Sequence, residues 1–259
     1  MTWAWPFRRG SRPDRDVPWV PPELGDPEGL IGVGGDLSPD LLLRAYAEGV
    51  FPWFSEGDPV LWWSPDPRAV IELDGLHVSR RLARTIRSGK FRVTVDQRFE
   101  EVMRACGEDR PEGTWVTEEM IAGYTTLHRL GHAHSLEVWA AAPIPPGPLD
   151  LGVQFTSWDD VTAGMSRAAL HGWELVGGIY GVAVGGLFAG ESMFHRKTDA
   201  SKVALVSLVE RLKQRGYVLF DVQMTTDHTE RMGAVEIPRE AYLERLREAV
   251  RLTNVRFGD

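Results

Sequence analysis

The sequence predicts an α+β fold, and three observations point to it. The run from Gly185 to Gln223, GGLFAGESMFHRKTDASKVALVSLVERLKQRGYVLFDVQ, reads as strand, loop, helix, strand. Within it, apolar residues are nearly continuous from Tyr217 to Val222, as in a strand covered on both faces. Upstream, HAHSLEVWA alternates with the two-residue period of a half-buried strand and follows helices that carry their own caps.

The elements follow in order along the chain. After a proline-rich lead, Ser38 caps a helix with Pro39 at its first position and Gly49 just past its end. FPWFSEGDPVLWWSPDPRAVI then concentrates Trp53, Trp62 and Trp63 among prolines, a semi-rigid stretch able to wall a pocket or to join two subdomains. Ser79 begins a basic helix, FRVTV is a short strand, and Asp96 caps a further helix whose Phe99, Val102, Met103 and Cys106 form an apolar stripe. A helix from Thr117 to Leu130 stops at Gly131 and places Ile121, Tyr124 and Leu127 on one face. Residues 141–171 are proline-rich, break the strand pattern and read as an insertion between neighbouring strands. LVGGIYGVAV and GGLFAGESMF form a hairpin turning at Gly185 and Gly186, and a charged helix from Arg239 to Leu252 closes the chain at the periphery.

Composition narrows the function classes. Hydrophobic residues at 43% and charged residues at 25% are ordinary for a soluble globular protein. No stretch is apolar for long enough to span a bilayer, and the start lacks the apolar core of a secretory signal, so a cytoplasmic protein with no membrane partner is expected. Cys106 is the single cysteine, which excludes an intrachain disulfide and fits a reducing compartment. A net charge of −8 argues against indiscriminate polyanion binding. Locally the balance reverses: Arg80, Arg81, Arg84, Arg87, Lys90 and Arg92 lie between Gly75 and Val95 with no acidic residue among them, and Arg80, Arg84 and Arg87 share a helical face. Such a face is either solvated or a phosphate-binding surface.

The polar residues that the strand pattern does not explain are the candidates for chemistry. Asp221 and Gln223 stand at the carboxyl end of a buried strand, and their spacing of two turns both to one side. Glu191 ends the strand containing Leu187 and Phe188, so the three are expected to converge where two strands leave the sheet, the usual place for a ligand. His132 and His134 point the same way, but without CxxC or HExxH no metal site is expected. The strand, helix, strand layout would also suit an acetyl-coenzyme A enzyme. Yet the turn HRKTDASK has no glycine and carries Asp199 where a pyrophosphate would sit. A non-catalytic tRNA- or peptide-binding module would account for the basic helix and tryptophans, leaving Asp221 and Gln223 unexplained.

Taken together, GVGGDLSPDLLLRAYAEGVFPWF, DPVLWWSPDPRAVI, HVSRRL, EGTWVTEEM, LHRLGHAHSLEVW, LVGGIYGVAVGGLFAGESMF, DASKVAL, FDVQ and GAVEIPREAYL resemble the leucyl/phenylalanyl-tRNA-protein transferases from about Leu30 to Leu246. The resemblance implies a small N-terminal domain over residues 1–66. A domain of the acetyltransferase (GNAT) type, a mixed sheet flanked by helices, would follow over 67–259 and carry the insertion. It implies an enzyme, acting as a monomer without a cofactor, that moves leucine or phenylalanine, with methionine a further donor, from aminoacyl-tRNA to proteins beginning with arginine or lysine. That marks them for N-end rule degradation. By motif position, Trp53 and Trp115 handle the terminal adenosine, with Tyr46 and Tyr124 in the same neighbourhood. Ile179, Phe188, Leu205, Leu208, Leu212 and Phe220 line the aminoacyl pocket, and Glu191, Asp221 and Gln223 form the reaction centre. The sequence departs from the family pattern at Val222, where cysteine is usual and the side chain is expected to point away from the site, and at the insertion.

These residue types suit ester aminolysis. The donor ester is already activated, and holding amine and ester in register supplies on the order of 7 to 11 kcal/mol, more than one acid or base. The Gln223 carbonyl accepts a hydrogen bond from the attacking amine, Asp221 accepts from the Gln223 amide nitrogen and fixes its orientation, and Glu191 adds negative charge that holds a cationic amine or side chain. The Arg80, Arg84 and Arg87 face would meet the tRNA acceptor stem.

Overall fold

Strands as apolar as Trp173–Val184 need cover on both faces, and the fold provides it with two helical layers. The computed structural model describes residues 17–108, 114–142 and 172–258. The elements run β1 (Leu30–Val33), α1 (Pro39–Ala47), β2 (Phe51–Pro52), β3 (Leu61–Trp63), β4 (Arg68–Ile71), α2 (Arg80–Arg87), β5 (Phe91–Val95), α3 (Phe99–Gly107), α4 (Glu118–Arg129), β6 (Ala133–Ala141), β7 (Trp173–Val184), β8 (Leu187–His195), α5 (Ala200–Arg215), β9 (Leu219–Gln223), α6 (Asp227–Arg231), β10 (Ala234–Ile237) and α7 (Arg239–Ala249).

β1, β3 and β2 form a small antiparallel sheet near the start of the described chain. A seven-stranded sheet of order β10-β4-β9-β8-β7-β6-β5 forms the body. β8 and β9 pair in parallel through the α5 crossover, while the other neighbours pair antiparallel, so the sheet is mixed. This is the expected α+β arrangement, a mixed sheet flanked by helices.

Strand alternation sorts the core into two layers. Tyr180, Val182, Leu187, Ala189 and Leu219 face the layer built with α1, α3, α4 and α7. Ile179, Phe188 and Phe220 face the layer completed by α5, whose Leu205, Leu208 and Leu212 are fully buried. The β7–β8 hairpin turns at Gly185, where φ of 58° favours glycine.

Two local expectations change. Asp96 does not cap α3; Arg98 holds that position, and Asp96, at φ 58°, turns its carboxylate to the Ser135 N–H and the His134 ring. Buried Glu137 accepts instead from the backbone N–H groups of Gln97 and Arg98, just ahead of α3, both at 3.3 Å. The last helix is not peripheral, because Tyr242, Leu243, Leu246 and Ala249 are buried against the first core layer. Most of the insertion, residues 143–171, lies outside the described residues, as does the lead up to residue 16. Its flanks are tied together: Ala141 pairs with Trp173, and Ala142 N donates to Gly172 O at 2.8 Å.

Candidate active site

A cleft opens where β8 and β9 part. Their pairing ends at Ala189 and Asp221, after which β8 continues along β7 to His195 and β9 stops at Gln223. The divergence begins beside a bulge at Tyr180 and Gly181. A Cβ at Gly181 would lie 2.2 Å from the Ala189 carbonyl oxygen, so glycine is needed for that approach. The resulting cavity of about 470 Å³ is lined by Phe51, Pro52, Trp53, Trp115, Ile179, Gly190, Glu191, Ser192, Met193, His195, Ser201, Phe220, Val222, Gln223, Met224, Thr226, His228 and Thr229.

Glu191 and Gln223 meet in this cleft: Gln223 Nε2 donates to Glu191 Oε1 at 2.8 Å. Tyr124 Oη donates to Glu191 Oε2 at 3.4 Å, and the Tyr46 hydroxyl is hydrogen-bonded to that of Tyr124. Burial pushes the Glu191 carboxyl up to about 7, with the nearby Asp221 charge acting in the same sense and the hydrogen bonds opposing. Burial, followed by the Glu191 charge, raises both phenols well above their usual range, so they remain protonated donors.

Asp221 takes a different place from the one expected. It is fully buried and does not line the cleft. Its Oδ1 accepts from Arg68 Nε at 2.9 Å and from the backbone N–H of Gln223 at 2.8 Å; its Oδ2 accepts from Arg68 Nη2 at 2.6 Å and from Tyr242 Oη at 2.8 Å. The nitrogen of Gln223 that Asp221 binds is therefore the backbone one, while the side-chain amide goes to Glu191. Strict alternation fails because Gln223 sits at φ 66°, a left-handed turn that leaves the strand. Val222 does not point away either: it packs on the second core layer and lines the cleft.

Of the other expected residues, Trp53 and Trp115 line the cleft, and Trp53 is 40% exposed. Its carbonyl accepts from Trp63 Nε1 at 2.7 Å, which braces the segment. Tyr46 and Tyr124 are in the core and reach the site only through their hydroxyls. Ile179 and Phe220 face the cavity, whereas Phe188, Leu205, Leu208 and Leu212 lie in the closed core of that layer. Arg80, Arg84 and Arg87 are exposed on α2, and no ion pair joins them among the described residues. Arg81 does find an acid, a bidentate contact to Asp199 at 2.8 and 2.9 Å, which holds α2 to the start of α5. A carboxylate thus occupies the helix entrance where a pyrophosphate would need bare amides. Among the described residues no group of three or more His, Cys, Asp or Glu is placed to hold a metal ion, and His134 bonds Asp96 instead.

Sequence reasoning missed Arg68, Tyr242 and His228. The signal for Arg68 was present, a lone cation opening the apolar run RAVI; Tyr242 was hidden in a helix read as peripheral. His228 lines the cleft with Nε2 unpartnered among the described residues. Burial, then the charges of Lys202, His195 and Arg231, lowers its pKa and favours the neutral ring.

Comparison with known proteins adds an independent line. Residues 70–157 and 150–247 match the family model described as leucyl/phenylalanyl-tRNA protein transferase, and residues 35–66 match the model for the N-terminal domain of that family. A leucyl/phenylalanyl-tRNA--protein transferase of Magnetococcus marinus is 50% identical over 89% of this chain and 87% of its own. Proteins of the same name from Anaeromyxobacter sp. and Nitratidesulfovibrio vulgaris are each 48% identical, covering 91% and 89% of this chain and 88% and 87% of theirs. No described helix is long and apolar enough to cross a membrane.

Proposed function

The chain belongs to the leucyl/phenylalanyl-tRNA protein transferase family, and from that premise we propose that it moves leucine or phenylalanine from aminoacyl-tRNA to the N-terminal arginine or lysine of acceptor proteins, marking them for N-end rule degradation. The observation that carries the assignment of the reaction centre is the Glu191–Gln223 hydrogen bond inside a cleft lined by Trp53 and Trp115.

An exposed tryptophan offers a face on which the terminal adenine stacks, and apolar Ile179, Met193 and Phe220 receive the aminoacyl side chain. The attacking α-amine has an ordinary pKa of about 8. A carboxyl pushed up to about 7 is nearly matched to it, so Glu191 takes the amine proton at small cost. Gln223, held by Glu191 through its Nε2, keeps its carbonyl oxygen available to accept from the amine. The nitrogen lone pair forms the new C–N bond, the ester C–O bond breaks, and Glu191 passes the proton it took from the amine to the leaving ribose oxygen. The Arg80, Arg84 and Arg87 face holds the acceptor stem, which leaves the net negative charge of the chain compatible with a tRNA partner.

Leucyl- and phenylalanyl-tRNA incubated with a peptide bearing N-terminal arginine should yield the extended peptide. The acetylated N-terminus should not react. Transfer to neither arginine nor lysine peptides would overturn the assignment.

A further inference from the structure

We propose that Arg68 and Tyr242 are positioning residues for this transfer. Acting through Asp221, they set the left-handed turn at Gln223 and hold the two walls of the cleft in register. The proposal rests on the reading above for where transfer occurs, but its structural core can be measured without activity.

Stability alone does not explain the Arg68–Asp221 pair. Both side chains are 1% exposed, and desolvating an ion pair this deeply is close to break-even against an apolar pair of the same volume. What the pair does provide is orientation. A guanidinium fork bound through Nε and Nη2 fixes the plane of the carboxylate. With the plane fixed, Oδ1 stands where the Gln223 N–H ends, 2.8 Å away. That bond fixes the entry to the turn at φ 66°, a conformation a residue with a side chain avoids unless its surroundings enforce it, and Met224 N–H closes the turn by donating to Val222 O at 2.7 Å. The turn sends the Gln223 side chain off the strand path toward Glu191. Tyr242 completes the arrangement by donating to Oδ2, so each carboxylate oxygen has two donors and none is left for a substrate. Asp221 therefore acts through Gln223.

Arg68 also reaches the opposite wall. Its Nη1 donates to Gly49 O at 3.1 Å, and its guanidinium lies between the rings of Phe51, 4.9 Å away, and Tyr242, 4.5 Å away. Phe51, Pro52 and Trp53 continue from Gly49 into the lining of the cleft. One buried cation thus spans from the tryptophan-bearing segment to the strand that carries Gln223.

The test uses Tyr242→Phe, Arg68→Lys and the control Arg239→Lys, a second buried arginine whose guanidinium, among the described residues, bonds only to the carbonyls of Gly25, Asp26 and Ser64. Single-turnover transfer, donor binding, thermal melting and the Gln223 backbone amide resonance, with its exchange protection, are measured for each. Tyr242→Phe keeps the ring against Arg68 and should lower the transfer rate roughly three- to tenfold, the worth of one hydrogen bond, with donor affinity nearly unchanged and melting lowered modestly. Arg68→Lys keeps the charge but loses the fork, and should lower the rate by about tenfold or more. Both should shift the Gln223 amide and weaken its protection, while Arg239→Lys should lower the melting temperature without either effect. An unmoved Gln223 amide in both variants would overturn the proposal, as would a rate loss no greater than that of the Arg239→Lys control at a matched fall in melting temperature. A wild-type protein that fails to transfer, while the amide responds as described, would overturn the functional reading and leave the positioning intact.

Discussion

Replacing Glu191 by glutamine should stabilise the protein at pH 8 while reducing its transfer rate, and the two effects have one cause. In the folded chain burial lifts the carboxyl from its ordinary 4.5 to about 7. Between those values the folded state keeps a proton that the unfolded state has released. Stability therefore falls as pH rises through this window and levels off above about pH 7. At about 1.4 kcal/mol per pH unit the accumulated cost is roughly 2 to 3 kcal/mol, the lower figure allowing for solvent screening of a half-buried carboxyl. Glutamine resembles the protonated acid: its carbonyl still accepts from Gln223 Nε2, and it carries no charge to desolvate. Urea unfolding should give Glu191→Gln and wild type nearly equal stability at pH 4.5 and a gap of about 2 to 3 kcal/mol in favour of the variant at pH 8. The variant cannot take the amine proton, so single-turnover transfer at pH 8 should fall by about a hundredfold or more. A stability difference that is the same at both pH values would refute the raised carboxyl and, with it, the matched proton transfer.

Gln223→Ala should slow single turnover by at least about tenfold and leave donor binding intact, because it removes an acceptor for the amine while the tryptophan-lined cleft stays in place. Asp221→Ala should in addition lose about 3 to 5 kcal/mol in thermal or urea unfolding, since it strands Arg68 in the core. Charge reversal at Arg80, Arg84 and Arg87 should leave melting unchanged, weaken tRNA binding and flatten its salt dependence, while a small aminoacyl-adenosine donor is used as before; equal loss with both donors would count against a stem contact. Replacing residues 143–171 by a short glycine-containing turn should preserve folding and transfer to a short arginine peptide, because Ala141 already pairs with Trp173. Loss of that transfer in a folded variant would place the segment in the site.

The sequence by itself determined what depends on local pattern. Helix ends at Ser38, Ser79 and Thr117 were legible because a cap is a matter of neighbouring residues, and the side chains of Ser79 and Thr117 accept the expected amides at 3.2 Å. The β7–β8 hairpin and the buried crossover strand were legible from periodicity, and Glu191, Asp221 and Gln223 stood out as polar residues at the ends of apolar strands. Tertiary structure decided which of these groups touch one another. Two-residue alternation assigned Asp221 and Gln223 to one side, but a single left-handed residue turned Gln223 into the cleft and left Asp221 in the core. That conformation is enforced by Arg68, 153 positions away from Asp221, and by Tyr242 on a helix whose charged pattern suggested the surface. Likewise, the basic run from Arg80 to Arg92 contains no acid, yet Arg81 meets Asp199 across 118 positions. Capping and periodicity are short-range and read directly from residue order; desolvation and ion pairing depend on which surfaces the folded chain brings together.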